Sequence, residues 1–408
     1  MSRMAFALAC LAGCYDPAAL AVCATRCDGN QLCPAGQMCG ADSRCHAADG
    51  LECSQLEVDG GTDAALGCLG GGAVPAFQPV CDAAAHVTTM ATRLLGGTID
   101  TGMPSQCDEM ASQTAGPPVC VVLGYDITVG DLSTTGPNPL AIIAINDLTI
   151  AVGSTLQAGS HAAITGPGAD GAACGAGKGA DDVNGAGGGA GGSFQGVGGR
   201  SGAGDVGGTA PGGPTLITFT LPATLRGGCP GTTGGSGGTA TTAGGVSGGA
   251  VYLVAGRDLA INGGVFAGGH GAPGGTPYSG GGGGGSGGMV ALEGMHVRIE
   301  GSTGAAVAAN GGGGSGGSGN IGASAGDDAT GITTAGGGQS TSNIGNDAMG
   351  GYGGMGSGPG IVGGMGANES GGVAGQQNAG GGGGGGGAGF VVVHGLVVGM
   401  TSPPFTLR

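Results

Sequence analysis

Short apolar segments with strand-like alternation recur through the chain. Residues 251–261, VYLVAGRDLAI, align without a gap to residues 140–150, LAIIAINDLTI, with Asp258 over Asp147. Three further copies follow the same plan and begin at Cys120, Met289 and Gly389. Each copy predicts two short strands joined by a corner of one or two residues.

The alternation within a copy indicates strands with one buried face. Val297 and Ile299 alternate with Arg298 and Glu300, the period of two expected of such a strand. One copy has no means of burying its apolar face alone, whereas stacked copies bury a continuous column. We therefore expect an all-β fold, an irregular parallel β-helix or β-solenoid with long glycine-rich loops. Residues 214–225 are a candidate for a further rung.

Glycine separates these segments in long tracts. The chain has 109 glycines and 19 prolines among 408 residues, concentrated in tracts such as 280–285 and 380–387. Because glycine loses more backbone entropy on ordering than other residues, we expect mobile loops. The alternative is a lattice of extended chains like polyglycine II, which only glycine permits.

The N-terminal residues are typical of a bacterial lipoprotein signal. Arg3 precedes an apolar run over residues 4–11, and Leu-Ala-Gly-Cys at 11–14 forms a lipobox. Lipidation of Cys14 after cleavage would anchor the chain to a membrane. No aspartate directly follows Cys14, which favours the outer membrane. A secretory signal cleaved elsewhere, or a coincidental apolar start, is the alternative.

The cysteines indicate an oxidising compartment. Of the 14, Cys10 leaves with the signal and Cys14 carries lipid, so twelve remain for disulfides. Cys107 with Cys120 and Cys174 with Cys229 are the local pairs. Zinc is disfavoured because the recurring gap is five residues, longer than zinc ribbons use. The disulfide candidates are Cys23, Cys27, Cys33, Cys39, Cys45, Cys53, Cys68, Cys81, Cys107, Cys120, Cys174 and Cys229.

These features divide the chain into four parts. A signal over 1–13 precedes a lipidated tether and small disulfide-rich region over 14–81. A connecting segment covers 82–118, and the glycine-rich β-solenoid domain covers 119–408. In the connecting segment Val87, Met90 and Leu94 fall on one helical face before Gly96, a possible helix stop, although the same residues also fit a first strand.

Composition excludes several function classes. A net charge of −16 with ten scattered Lys and Arg residues excludes nucleic acid as a partner. The absence of tryptophan and an aromatic content of 3% remove the usual sugar-stacking platforms. Ser236, Ser286 and Ser315 match the G-x-S-x-G pattern only because glycine surrounds them. We therefore predict no catalytic residue, no metal and no cofactor.

Two sets of polar residues recur at rung corners. Asp126, Asp147 and Asp258 occupy one corner of successive copies, where aspartate is expected for its local hydrogen bonds. His296 and His394 lie near the corners of two later copies. A stacked histidine pair would be able to bind metal or titrate, but surface histidines are the favoured interpretation.

Three features of the chain together indicate a family resemblance. They are the lipobox, the Cys-x3-Cys and Cys-Pro-x-Gly-x2-Cys segment, and the strands PLAIIAINDLTIAVGSTLQAGSH and GGMVALEGMHVRIEG among glycine tracts. Together they resemble the uncharacterised glycine-rich, PGRS-like surface lipoproteins of the myxobacterial type. The resemblance implies location and architecture: an envelope protein, lipid-anchored at the outer membrane or cell surface.

Two function classes follow. The favoured one is a non-enzymatic surface lipoprotein with a structural, adhesive or envelope-associated role. Its partners would be the membrane, through the lipid anchor, and envelope or matrix polysaccharide or other surface proteins. The alternative is a carbohydrate-active, lyase- or hydrolase-like β-helix protein, although fold alone does not confer chemistry. Ice or mineral contact would require a regular threonine ladder, which the sequence lacks.

Overall fold

The computed structural model describes a chain of two compact units, residues 1–60 and 61–408. In the first unit, β1 (Gln37–Cys39) and β2 (Cys45–Ala47) form an antiparallel pair. The described residues are 37–39, 45–47, 68–81, 87, 92–162, 164–170, 174, 177–205, 212–213, 220–238, 240–300, 306–341, 355–358, 362–366 and 379–408.

The second unit is all-β over its described residues, as predicted, apart from a 3-10 turn at Pro104–Gln106. It opens with a disulfide-bonded antiparallel hairpin of β3 (Cys68–Leu69) and β4 (Val80–Cys81). The next strands are β5 (Thr92–Asp100), β6 (Glu109–Ala111), β7 (Val119–Gly124), β8 (Asp126–Thr135), β9 (Leu140–Ala144), β10 (Leu148–Ile150) and β11 (Thr155–Gln157). The last strands are β12 (Ala250–Ala255), β13 (Asp258–Ile261), β14 (Gly264–Phe266), β15 (Met289–Ile299), β16 (Ala306–Ala308), β17 (Phe390–Val398), β18 (Thr401–Ser402) and β19 (Thr406–Leu407).

Strands β5 to β19 form one largely parallel sheet. Its first ladder runs β7, β9, β12, residues 289–293, residues 390–394 and β19. The second ladder runs residues 92–95, 126–129, β10, β13, 296–299 and 396–398. The third runs residues 97–100, 132–135, β11, β14, β16 and β18. We call one strand segment from each ladder, taken in chain order, a rung.

The strand registers confirm the repeat alignment made from the sequence. Val251 pairs with Leu140 in the first ladder, and Ile261 pairs with Ile150 in the second. The Cys120 copy joins at the same positions, because Cys120 also pairs with Leu140. The repeat alignment therefore identified the strands of the first two ladders and their register, whereas the third ladder was not predicted.

Two apolar clusters hold the sheet. One cluster contains alternate side chains of all three ladders, including Ile142, Leu148 and Leu156, all fully buried. The other covers the opposite side of the first ladder, where Tyr252 packs edge to face on Phe77 of the β3–β4 hairpin. Both faces of the first ladder are consequently buried, which explains its unbroken apolar strands.

The structure decides between the two interpretations of the connecting segment and tests part of one candidate rung. Residues 92–100 form strand β5, the alternative interpretation of the connecting segment, and Leu94 is exposed instead of lining a helix face. The described part of the candidate rung at 214–225, residues 220–225, contains no strand. Leu225 there is nevertheless buried in the cluster over the first ladder. Residues 214–219 lie outside the described part.

Candidate functional site

Extended glycine tracts lie side by side in a bundle that we call the glycine lattice. Its central tract, residues 279–288, is fully buried. Backbone hydrogen bonds join the central tract to six neighbouring segments. These are residues 186–192, 229–235, 245–248, 267–270, 312–318 and 381–387.

Two sets of amides spaced three residues apart in the central tract each donate to a single neighbour. One set, Gly281, Gly284 and Gly287, donates at 2.8 to 2.9 Å to the carbonyl oxygens of Gly381, Gly384 and Gly387. A second set, Gly280, Gly283 and Ser286, donates to those of Gly235, Thr232 and Cys229. A period of three with no bonds inside a chain is the geometry of polyglycine II. The structure therefore has these tracts in the alternative arrangement, a lattice of extended chains like polyglycine II.

Glycine is required because neighbouring backbones fill the space of a side chain. A Cβ on Gly283 would lie 1.9 Å from the carbonyl oxygen of Ala190. A Cβ on Gly383 would lie 1.9 Å from that of Gly282. Neither backbone can move without breaking its own hydrogen bonds, so the bundle accepts no larger residue at these positions.

Buried hydroxyl groups complete the hydrogen bonding. The Ser286 Oγ accepts the Cys229 amide at 2.8 Å, and the Ser315 Oγ accepts the Gly282 amide at 2.8 Å. Thr232 Oγ1 accepts the Ala190 amide at 2.7 Å. Ser286 and Ser315, which match the nucleophile pattern, thus serve the lattice as hydrogen-bond partners.

Three aspartates form a column at the corner between the first and second ladders. Asp126 Oδ1 accepts the Asp147 amide at 3.2 Å, and Asp147 Oδ1 accepts the Asp258 amide at 3.3 Å. Arg257 forms a hydrogen-bonded salt bridge with Asp147, and the hydrogen bond raises the Arg257 pKa. The Asp126 and Asp147 side chains cap backbone amides of the following rung, which supports their structural interpretation.

The two corner histidines do not stack. His296 pairs with Asp258 in the ladder, with Nδ1 2.9 Å from Asp258 Oδ1. His394 instead lies opposite Glu293, and its Nδ1 contacts the Arg408 carbonyl oxygen at 2.9 Å. A bulge in β15 between residues 293 and 296 separates the two positions. The hypothetical histidine pair is therefore not formed.

A buried polar cluster, not anticipated from the sequence, fastens the β3–β4 hairpin to the first ladder. The Tyr252 hydroxyl donates to Glu293 and accepts the Gly71 amide at 2.9 Å. Glu293 Oε2 also accepts the Ala73 amide at 2.9 Å. Burial, with the nearby Glu293 charge, raises the Tyr252 pKa well above its usual value. The feature that could have indicated this cluster is a tyrosine within a strand buried on both faces, because a buried tyrosine hydroxyl usually has a hydrogen-bond partner.

The structure contains three disulfides among its described residues. Cys107–Cys120 and Cys174–Cys229 are the two pairs named from the sequence, and Cys68–Cys81 closes the hairpin. The β1–β2 pair brings Cys39 opposite Cys45, although their side chains lie outside the described part. Cys14, Cys23, Cys27, Cys33 and Cys53 also lie outside it.

The described residues lack both a clustered metal site and a membrane-spanning helix. They contain no group of three or more His, Cys, Asp or Glu residues placed to hold a metal ion. No helix within them has the length and apolar character needed to cross a bilayer. Comparison with protein-family models, curated proteins and solved structures finds no match to this chain.

Proposed function

We propose that this chain is a non-enzymatic cell-surface lipoprotein with a structural, adhesive or envelope-associated role. The glycine lattice is the observation that carries the proposal. Its buried positions are backbone and small side chains, and the buried hydroxyls of Ser286 and Ser315 are engaged with backbone amides. Such a body supplies shape and stiffness but few groups for acid, base or nucleophilic chemistry.

We further propose that the three ladders are successive faces of an irregular parallel β-solenoid. The order of strands supports this, because the chain visits the first, second and third ladders in turn before it returns to the first. Long insertions leave after the third ladder, between β11 and β12, β14 and β15, and β16 and β17. Insertions at a single corner leave stacked rungs undisturbed.

In this proposal the lipobox provides the attachment and the lattice provides the exposed body. Lipidated Cys14 anchors the chain in the outer membrane, and the second unit stands at the cell surface. The acidic charge of −16 favours solubility and repels anionic surfaces. Envelope polysaccharide or other surface proteins are the proposed partners.

The first experiment tests the anchor. Wild type, Cys14→Ser and the matched control Cys10→Ser are expressed in a Gram-negative host, fractionated and weighed by intact mass spectrometry. Wild type and Cys10→Ser should carry a diacylglyceryl group and enter the outer-membrane fraction, whereas Cys14→Ser should not. Unmodified wild-type protein in the soluble fraction would refute the anchored role.

A second experiment separates adhesion from catalysis. Purified protein is incubated with envelope polysaccharide from the Gram-negative host used for expression. Two quantities are measured: the protein that pellets with the polysaccharide, and the newly formed reducing or unsaturated ends. Binding without new ends supports the adhesive role. Turnover that produces new ends would replace it with the carbohydrate-active alternative.

A further inference from the structure

The Cys174–Cys229 disulfide lies at the lattice with a cation against it. Cys229 is buried beside the central tract, where its carbonyl oxygen accepts the Ser286 amide. Cys174 is half-buried. Arg226 Nη2 lies 3.6 Å from the Cys174 Sγ, and the Gly228 carbonyl oxygen lies at the same distance from that sulfur.

Arg226 is held in this position by several contacts. Its guanidinium lies 5.5 Å from the centre of the buried Phe194 ring, and Nε donates to the Gly227 carbonyl oxygen at 3.3 Å. Burial lowers the Arg226 pKa, yet arginine stays protonated in proteins at neutral pH. A charge partly removed from water acts more strongly on its neighbours than one at the surface.

We propose that Cys174–Cys229 is a thiol-exchange site at which a low-molecular-weight thiol such as glutathione modifies Cys174. The glutathione thiolate attacks the more accessible Cys174 sulfur, and a new sulfur–sulfur bond forms to Cys174. The Cys174–Cys229 bond breaks, and its electron pair leaves on Cys229 as a thiolate. A second thiolate then attacks the glutathione sulfur, releases oxidised glutathione and leaves Cys174 as a thiolate beside Arg226.

The guanidinium promotes the second step because it stabilises the Cys174 thiolate that departs there. A cation next to a cysteine lowers the thiol pKa, and a more stable thiolate is a better leaving group. It also stabilises the reduced form, so the bond is reduced at a lower thiol concentration. The proposed surface role does not depend on this exchange.

Cys107–Cys120 is a matched internal reference. It also joins a half-buried cysteine to a fully buried one. The Cys107 Sγ, however, contacts the neutral carbonyl oxygen of Met103 at 3.8 Å. The two bonds therefore have similar accessibility and differ in the group placed against the sulfur.

The test measures reduction of both bonds in the full-length oxidised protein. The protein is equilibrated in glutathione buffers of increasing reducing strength, quenched with acid and alkylated, and each cysteine peptide is quantified by mass spectrometry. Cys174 and Cys229 should be labelled at a threshold where Cys107 and Cys120 remain bonded, and a glutathione adduct should form on Cys174. Equal or earlier reduction of Cys107–Cys120 overturns the proposal.

Two variants isolate the charge. Arg226→Met should raise the glutathione concentration needed for half-reduction by about threefold or more, and Arg226→Lys should restore part of the difference. Lys178→Gln, which removes a cation paired with Asp181, is the control and should leave the threshold unchanged. An unchanged threshold in folded Arg226→Met would refute the role of the guanidinium. If that variant does not fold, the order in which Cys174–Cys229 and Cys107–Cys120 are reduced in the wild-type protein decides whether the proposal stands.

Discussion

A glycine allows close packing in the lattice because it has no side chain. Because no Cβ shields it, its backbone can approach other chains from several directions, and the six-neighbour contacts of residues 279–288 use this access. The entropic disadvantage of ordering glycine is opposed by a hydrogen bond at nearly every buried amide. The environment of each glycine therefore decides whether it can be replaced.

Gly283→Ala tests this requirement against Gly331→Ala. The Gly283 Cβ would meet the Ala190 carbonyl oxygen at 1.9 Å, whereas a Cβ on Gly331 has nothing within 4 Å. We expect Gly283→Ala to lower the free energy of unfolding by roughly 3 kcal/mol, and Gly331→Ala to change it by less than about 0.5 kcal/mol. Chemical denaturation measures both. Equal effects would contradict close packing at Gly283.

Tyr252 gives the hairpin contact a signature at alkaline pH. Its pKa is raised in the folded state, so above the ordinary value of 10.0 the unfolded chain releases a proton that the folded chain retains. Stability should therefore fall as pH rises above 10, by up to about 1.4 kcal/mol per pH unit from this group. Denaturation from pH 9 to 11 should show a shallower fall for Tyr252→Phe. The same slope in both proteins would show that Tyr252 ionises normally.

At the scale of elements, side-chain periodicity predicted the ladders but not the lattice. In the copies at residues 140–150 and 251–261, the second-ladder strands alternate because one face enters a core, and the first-ladder strands are apolar throughout because both faces are buried. Residues 279–288 have almost no side chains to alternate, so their order depends on backbone contacts with distant segments. The Tyr252–Glu293 contact also joins distant residues, and no local spacing indicates it.

The two kinds of element should respond differently to an inserted residue. Polyglycine II maps onto itself when it moves by one residue and turns by about 120°, so one glycine inserted after Gly283 should retain most lattice bonds. One glycine inserted after Tyr252 should send Leu253 from one apolar cluster to the opposite face. Thermal melting should show the larger loss for the second insertion. A greater loss for the lattice insertion would contradict the screw symmetry.

At the scale of the second unit, the sheet and the lattice have different sources of order. The ladders bury apolar side chains, whereas the lattice is joined through backbone amides and carbonyls. Three insertions connect them, residues 158–249, 267–288 and 309–389, and each begins and ends on a sheet strand. The sheet therefore fixes both ends of the tracts, which reduces the entropy lost when they pack.

Hydrogen exchange should reveal this arrangement. Amides of residues 279–288 should exchange as slowly as those of β12, because both are buried and bonded. Residues 330–334, which are largely exposed, should exchange much faster. Peptide-level mass spectrometry of the native protein measures all three. Fast exchange throughout 279–288 would restore the expectation of mobile loops.

The close approach at lattice glycines also has a consequence for inheritance. A change at the first or second base of any glycine codon replaces glycine or ends translation, so a replacement at Gly283 or Gly383 places a side chain where a neighbouring backbone already lies. A third-base change is silent. Natural variation in the codons of these tracts should therefore accumulate at the third base. Synonymous substitutions should be frequent there, and substitutions that change the protein sequence should be rare.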